Sequence, residues 1–104
     1  MAILISSQRY LDDEVVQSKR ESGDYVVTVS PEFEMDGETY QAIIDGHHSL
    51  AAAELDGVAA EFIIATPQKD DRVLLLADGK VDSYLMSAYV DSTWYNYATK
   101  IDLF

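Results

Sequence analysis

The chain has 104 residues, enough for one domain with a modest core and too few for two. Hydrophobic residues make up 48% and aromatics 11%, a globular rather than disordered balance, and the lack of cysteine excludes disulfides, thiolate metal sites and cysteine nucleophiles. Nineteen acidic residues against seven basic ones give a formal charge of −12, which opposes direct nucleic-acid binding, because affinity there comes from Lys and Arg displacing counterions. The acids are scattered along the chain, so solubility is a sufficient role for them. A small nucleotide at a local site, a basic protein partner and mimicry of DNA charge all remain compatible. No apolar run is long enough to span a membrane, and Met1-Ala2-Ile3-Leu4-Ile5 lacks a basic leader and a cleavage pattern. A cytoplasmic protein is expected.

Ile3-Leu4-Ile5 predicts a first strand, and Leu11 to Ser22 a helix with acids in its first turn, Lys19 and Arg20 near its end, and Gly23 as its stop. Tyr25 to Val29 is β-branched and strand-like. Asp36-Gly37 marks a tight turn that pairs Glu32-Phe33-Glu34 with Thr39 to Ile44 as antiparallel strands. Ser49 to Asp56 predicts a helix closed by Gly57, with Leu50, Ala51, Leu55 and Val58 turned toward a sheet. Ala60 to Ala65 predicts a buried strand ended by Thr66-Pro67, and Arg72 to Ala77 a further strand before an Asp78-Gly79 turn. Val81, Tyr84, Leu85, Ala88 and Tyr89 follow helical spacing, with both tyrosines expected as half-buried core. The sum is a single α+β domain over residues 1–104, a small mixed sheet with helices packed on it.

The run Asp45-Gly46-His47-His48-Ser49 carries the chemistry. Two imidazoles stand where a strand gives way to a helix, and the first N–H groups of a helix hold anions. Gly46 permits a sharp turn and close approach of a ligand. A histidine here can hydrogen-bond a phosphate oxygen, neutralise it, or move a proton near neutral pH. Asp45 either caps the helix, orients an imidazole, or binds Mg2+ beside a nucleotide. The plainer reading has Asp45 as cap and one histidine packed inward. Adjacent histidines rarely reach one metal and the i, i+4 spacing is missing, so no metal site is assigned.

The segment from Tyr40 to Val58, Tyr40-Gln41-Ala42-Ile43-Ile44-Asp45-Gly46-His47-His48-Ser49-Leu50-Ala51-Ala52-Ala53 and onward, resembles the nucleotide-binding motif of the ParB/sulfiredoxin superfamily. The resemblance covers residues 3–65 and leaves 66–104 as a C-terminal extension. It implies a ParB/sulfiredoxin-like fold whose turn wraps nucleotide phosphates, placing Gly46, His47, His48 and Ser49 at ATP or CTP with Mg2+. It also implies weak phosphohydrolase or kinase-like activity, with Asp45 and His48 as catalytic candidates and Glu14 a distant further one. His47 stands where sulfiredoxins carry their reactive cysteine, so that activity is not implied. Ser49 stands where the family usually has arginine, and a hydroxyl does not fork onto phosphate as a guanidinium does.

Trp94-Tyr95-Asn96-Tyr97 is denser in aromatics than a small core needs, which predicts a partner surface or self-association. Base stacking on these rings is not expected, for want of neighbouring Lys or Arg. A second function class follows: a catalytically silent module acting by protein contact through an acidic face and Trp94, Tyr95 and Tyr97. A phage or plasmid regulator, an antitoxin or a DNA-mimicking inhibitor would fit it.

Overall fold

The computed structural model describes residues 2–103. In chain order its elements are β1 (Ile3–Ser6), α1 (Asp13–Ser22), β2 (Val26–Val29), β3 (Phe33–Met35), β4 (Glu38–Asp45), α2 (His47–Asp56), β5 (Glu61–Ile64), α3 (Val73–Ala77), α4 (Val81–Ser87) and β6 (Tyr95–Asn96). They form an α+β domain in which helices pack on a six-stranded mixed sheet of order β5-β2-β4-β1-β6. No helix among the described residues is long and apolar enough to cross a membrane.

The long strand β4 organises the sheet. One edge pairs in parallel with β1, from Ile3↔Tyr40 to Ile5↔Ala42. The other edge is shared: β3 takes the first half through the Asp36-Gly37 turn, and β2 takes the second half. Asp36 at φ 53° and Gly37 at φ 82° give the left-handed pair that a tight hairpin requires. Pro31 has no N–H to offer a ladder, and Ser30 bridges the interruption. Its N–H donates to the Ala42 carbonyl at 2.8 Å, while its buried hydroxyl accepts the Ala42 N–H at 2.9 Å. One bent stretch of chain thus serves the whole edge.

Alternation along the strands builds a core on each face. Ile5, Tyr40, Ala42 and Phe33 pack with Tyr84, Leu85 and Trp94 from the C-terminal third. On the opposite face Val27, Val29 and Ile43 meet Leu50 of α2. The Trp94 indole N–H donates to the Leu85 carbonyl at 3.0 Å, which satisfies the one polar atom of a buried ring.

Several expectations are corrected. Arg72 to Ala77 is helical from Val73, not a strand. Its leucines carry no period-two alternation and favour helix, and Asp70 starts the turn by accepting the Arg72 N–H on its side chain and the Val73 N–H on its carbonyl. Strand β5 is not buried: it lies at the end of the sheet and all four of its residues are exposed. In α2 the inward set is His47, Ser49, Leu50, Ala52 and Ala53, whereas Leu55 and Val58 are exposed. Small side chains let α1 and the sheet approach α2 from two sides, which an apolar stripe count does not register. Tyr89 is exposed, unlike Tyr84. Trp94 and Tyr95 are buried, so they form core rather than the expected partner surface.

Candidate functional site

Helix α2 begins at His47, two residues earlier than its apolar pattern suggests. Gly46 is its N-cap at φ 94°, a left-handed conformation, and a Cβ there would lie 2.5 Å from the Val26 carbonyl oxygen. The position therefore requires glycine twice over. Asp45 does not cap the helix: it is exposed, and its Oδ1 accepts the neighbouring Gly46 N–H at 2.9 Å. No side chain caps α2, in contrast to α1, where Asp12 accepts the N–H groups of Glu14 and Val15.

The two imidazoles diverge. His47 is buried and shares a 2.7 Å hydrogen bond with the Ser6 hydroxyl on β1. Burial is the main cause that holds its pKa down at about 4, so at neutral pH the ring is uncharged. His48 turns to α1, where its Nε2 accepts the backbone N–H of Asp12 at 3.1 Å. A backbone N–H only donates, so Nε2 carries no proton and the neutral ring holds its hydrogen on Nδ1.

Each histidine faces its own cavity. On the His48 side a cavity of about 360 Å3 runs between α1, β2 and the start of α2. Asp45, Gly46, His48 and Ser49 line it, together with Lys19, Asp24 and Thr28. The Ser49 hydroxyl is buried and donates to Asp24 Oδ1 at 3.3 Å. Lys19 donates to the other oxygen of Asp24 at 2.9 Å, and this bond, with the Val26 N–H, keeps the Asp24 carboxyl below its usual range. Two carboxylates against one lysine leave the cavity negative, so a phosphate chain entering it needs an accompanying cation. Among the described residues no group of three His, Cys, Asp or Glu side chains is placed to hold a metal.

On the His47 side a smaller cavity, about 170 Å3, is walled by Gln8, Arg9, Leu11, Tyr95, Tyr97 and Lys100. The Arg9 guanidinium lies 4.0 Å from the centre of the Tyr95 ring, and the Lys100 ammonium 3.4 Å from that of Tyr97. The expectation that the C-terminal aromatics lack basic neighbours is thereby corrected.

The structure thus brings Asp45, Gly46, His48 and Ser49 to one cavity and separates His47 from them. Glu14 caps nothing and lines neither cavity; its own N–H is held by Asp12. Lys19 was legible only as part of a helix end and Asp24 not at all, since their pairing depends on the left-handed turn at Gly23. Arg9 and Lys100 carried no signal in the sequence, because their approach depends on pairing between β1 and β6. Comparison with protein-family models, curated protein sequences and solved structures gives no match.

Proposed function

We propose that this chain is a stand-alone ParB/sulfiredoxin-like domain that binds a phosphate-bearing nucleotide at the start of α2. One observation carries the reading. The first turn of α2 is uncapped by any side chain and opens beside a 360 Å3 cavity lined by Gly46, His48 and Ser49. That volume lies within the roughly 300–1,000 Å3 of small-molecule sites. The leading N–H groups and the positive end of the helix favour a phosphate there.

The negative balance of the cavity favours ATP or CTP bound with Mg2+. This ion takes one or two carboxylates, waters and the ligand's own phosphates, rather than a complete protein cage. Asp45 and Asp24 supply such carboxylates, and Lys19 meets phosphate oxygens. His48, with its hydrogen on Nδ1, donates to a phosphate oxygen. Ser49, whose hydroxyl hydrogen goes to Asp24, gives phosphate no equivalent of an arginine fork, so phosphate affinity is weaker by about 1.5–3 kcal/mol than with a charged donor. Weak phosphohydrolase or kinase-like turnover, with Asp45 orienting the acceptor or the cation, is the activity this arrangement supports.

Thermal unfolding with ATP, ADP, CTP and GTP, each with and without Mg2+, tests the reading. A ligand at about 100 times its dissociation constant adds roughly 2.7 kcal/mol of stability. Stabilisation by a nucleotide, lost in His48→Ala, is the expected result; no response to any of the four overturns it.

A second reading, a silent module acting by protein contact, is favoured by the exposed end strand β5. Phe62, Ile63 and Ile64 are 51%, 43% and 57% exposed, and an unpaired apolar edge is a template for strand addition. Ile63→Lys would abolish partner capture under this reading and leave nucleotide stabilisation intact under the first.

A further inference from the structure

The cavity on the His47 side has chemistry that the nucleotide reading does not use. Seven basic residues serve the whole chain, and two of them, Arg9 and Lys100, converge on this one small space. They come from opposite ends of the sequence and approach closely enough that the charge of Arg9 disfavours that of Lys100. The two cations repel each other; Asp102, Glu54 and the tyrosine faces offset part of that repulsion, and a bound anion would offset more.

The state of Lys100 sharpens the point. Among the described residues it makes no ion pair, whereas Arg9 is held by Asp102. Desolvation, the largest influence on it, lowers the pKa of its ammonium. Its backbone sits at φ 64°, a left-handed conformation that a lysine adopts at a cost and a glycine does not. A residue held in a strained backbone conformation without an ion-pair partner persists where the surrounding structure uses it. Of the acidic groups nearby, Asp102 pairs with Arg9, and Glu54, which accepts the Tyr97 hydroxyl, offsets part of the cost to Lys100 without bonding it.

We infer that the cavity bounded by Arg9, His47, Tyr95, Tyr97 and Lys100 binds a small oxyanion of phosphate size. Arg9, one terminal nitrogen of which donates to Asp102, has its remaining guanidinium N–H groups to offer, and Lys100 adds a point charge, both suited to phosphate oxygens. The aromatic faces of Tyr95 and Tyr97 keep both cations in place before the ligand arrives. His47, uncharged, closes the inner wall without adding a third cation. A volume of about 170 Å3 admits inorganic phosphate or a small phosphomonoester and falls below the roughly 300 Å3 where larger ligands begin. The site is separate from the one proposed for a nucleotide, so either stands without the other.

The test is an amide-resolved NMR titration of the full chain with inorganic phosphate at low salt, with methyl phosphate and chloride of matched ionic strength as parallel arms. Saturable shifts at Arg9, Tyr97 and Lys100 with phosphate, absent with chloride, are expected. Methyl phosphate binding as well as phosphate points to an esterified ligand, and phosphate alone to the free ion. Lys100→Gly relieves the left-handed strain, so it should raise the melting temperature while weakening phosphate by about tenfold or more, the loss of a charged hydrogen bond. Unchanged phosphate affinity in that variant, or shifts that chloride reproduces, overturns the proposal. Shifts confined to Gly46 to Ser49 overturn it also, while leaving the nucleotide reading intact.

Discussion

The backbone N–H of Asp12 donates to Nε2 of His48, so the residue that caps α1 is itself held by the first turn of α2. Two helix starts are locked together by one imidazole, and the wall of the larger cavity depends on it. His48→Ala leaves the Asp12 N–H without its partner. A loss of about 1–2 kcal/mol in urea unfolding is expected, with His48→Asn, whose side-chain oxygen is an acceptor, recovering part of it.

His47 titrates far from its partner in sequence. The unfolded chain protonates near pH 6.5 and the folded one only near pH 4, so the unfolded state binds the extra proton between those values. Stability is therefore full above pH 6.5 and falls as the pH drops toward 4, by up to about 3 kcal/mol. Asp24, Asp56 and Asp70, lowered from 3.8 by their basic or hydrogen-bonding neighbours, contribute a separate loss below that value. His47→Gln should flatten the upper part of the profile and leave the lower part unchanged, as followed by urea unfolding at each pH.

Gly46 and Gly57 are both left-handed, at φ 94° and 65°, but only Gly46 faces a neighbouring backbone. Gly57→Ala is expected to cost about 1 kcal/mol for backbone strain alone. Gly46→Ala must also push aside the Val26 carbonyl and Val27 Cα, which would lie 2.9 Å from the new atom, and should cost more than about 3 kcal/mol. Chemical denaturation of the pair measures the difference. Equal costs would show that strand β2 yields freely.

Ser30→Ala removes the hydroxyl that accepts the Ala42 N–H inside the sheet. The expected cost is about 1–3 kcal/mol, the penalty for a buried unsatisfied donor. Hydrogen exchange at Ala42 should accelerate more than exchange at Ile43, which would distinguish a local opening from global destabilisation.

Local chemistry was the legible part of this fold. Asp36-Gly37 announced its hairpin, Gly23 and Gly57 their helix ends, and the β-branched runs most of their strands. The misread elements share a cause. Val73 to Ala77 and Phe62 to Ile64 are short apolar runs whose type and depth depend on what lies over them, and no pattern within five residues states that. The histidine pair was legible as a site in one respect only. Adjacent positions on a helix diverge by about 100°, which foretold two directions; that each direction ends in a different cavity depended on elements distant in sequence, α1 and β2 for His48 and the segments around Arg9 and Tyr95 for His47.

The pairing of β1 with β6 has a consequence for how the molecule is made. Gln8 and Tyr95, joined by the tyrosine hydroxyl donating to the Gln8 carbonyl, are 87 positions apart. Contacts of such sequence separation form late, because a long loop must close before they contribute. The Arg9 cavity needs residues 95–100 in place beside residues 8–11, while the His48 cavity draws only on residues 15 to 49. A ligand held only by the former would report that residues 95–100 have docked against β1.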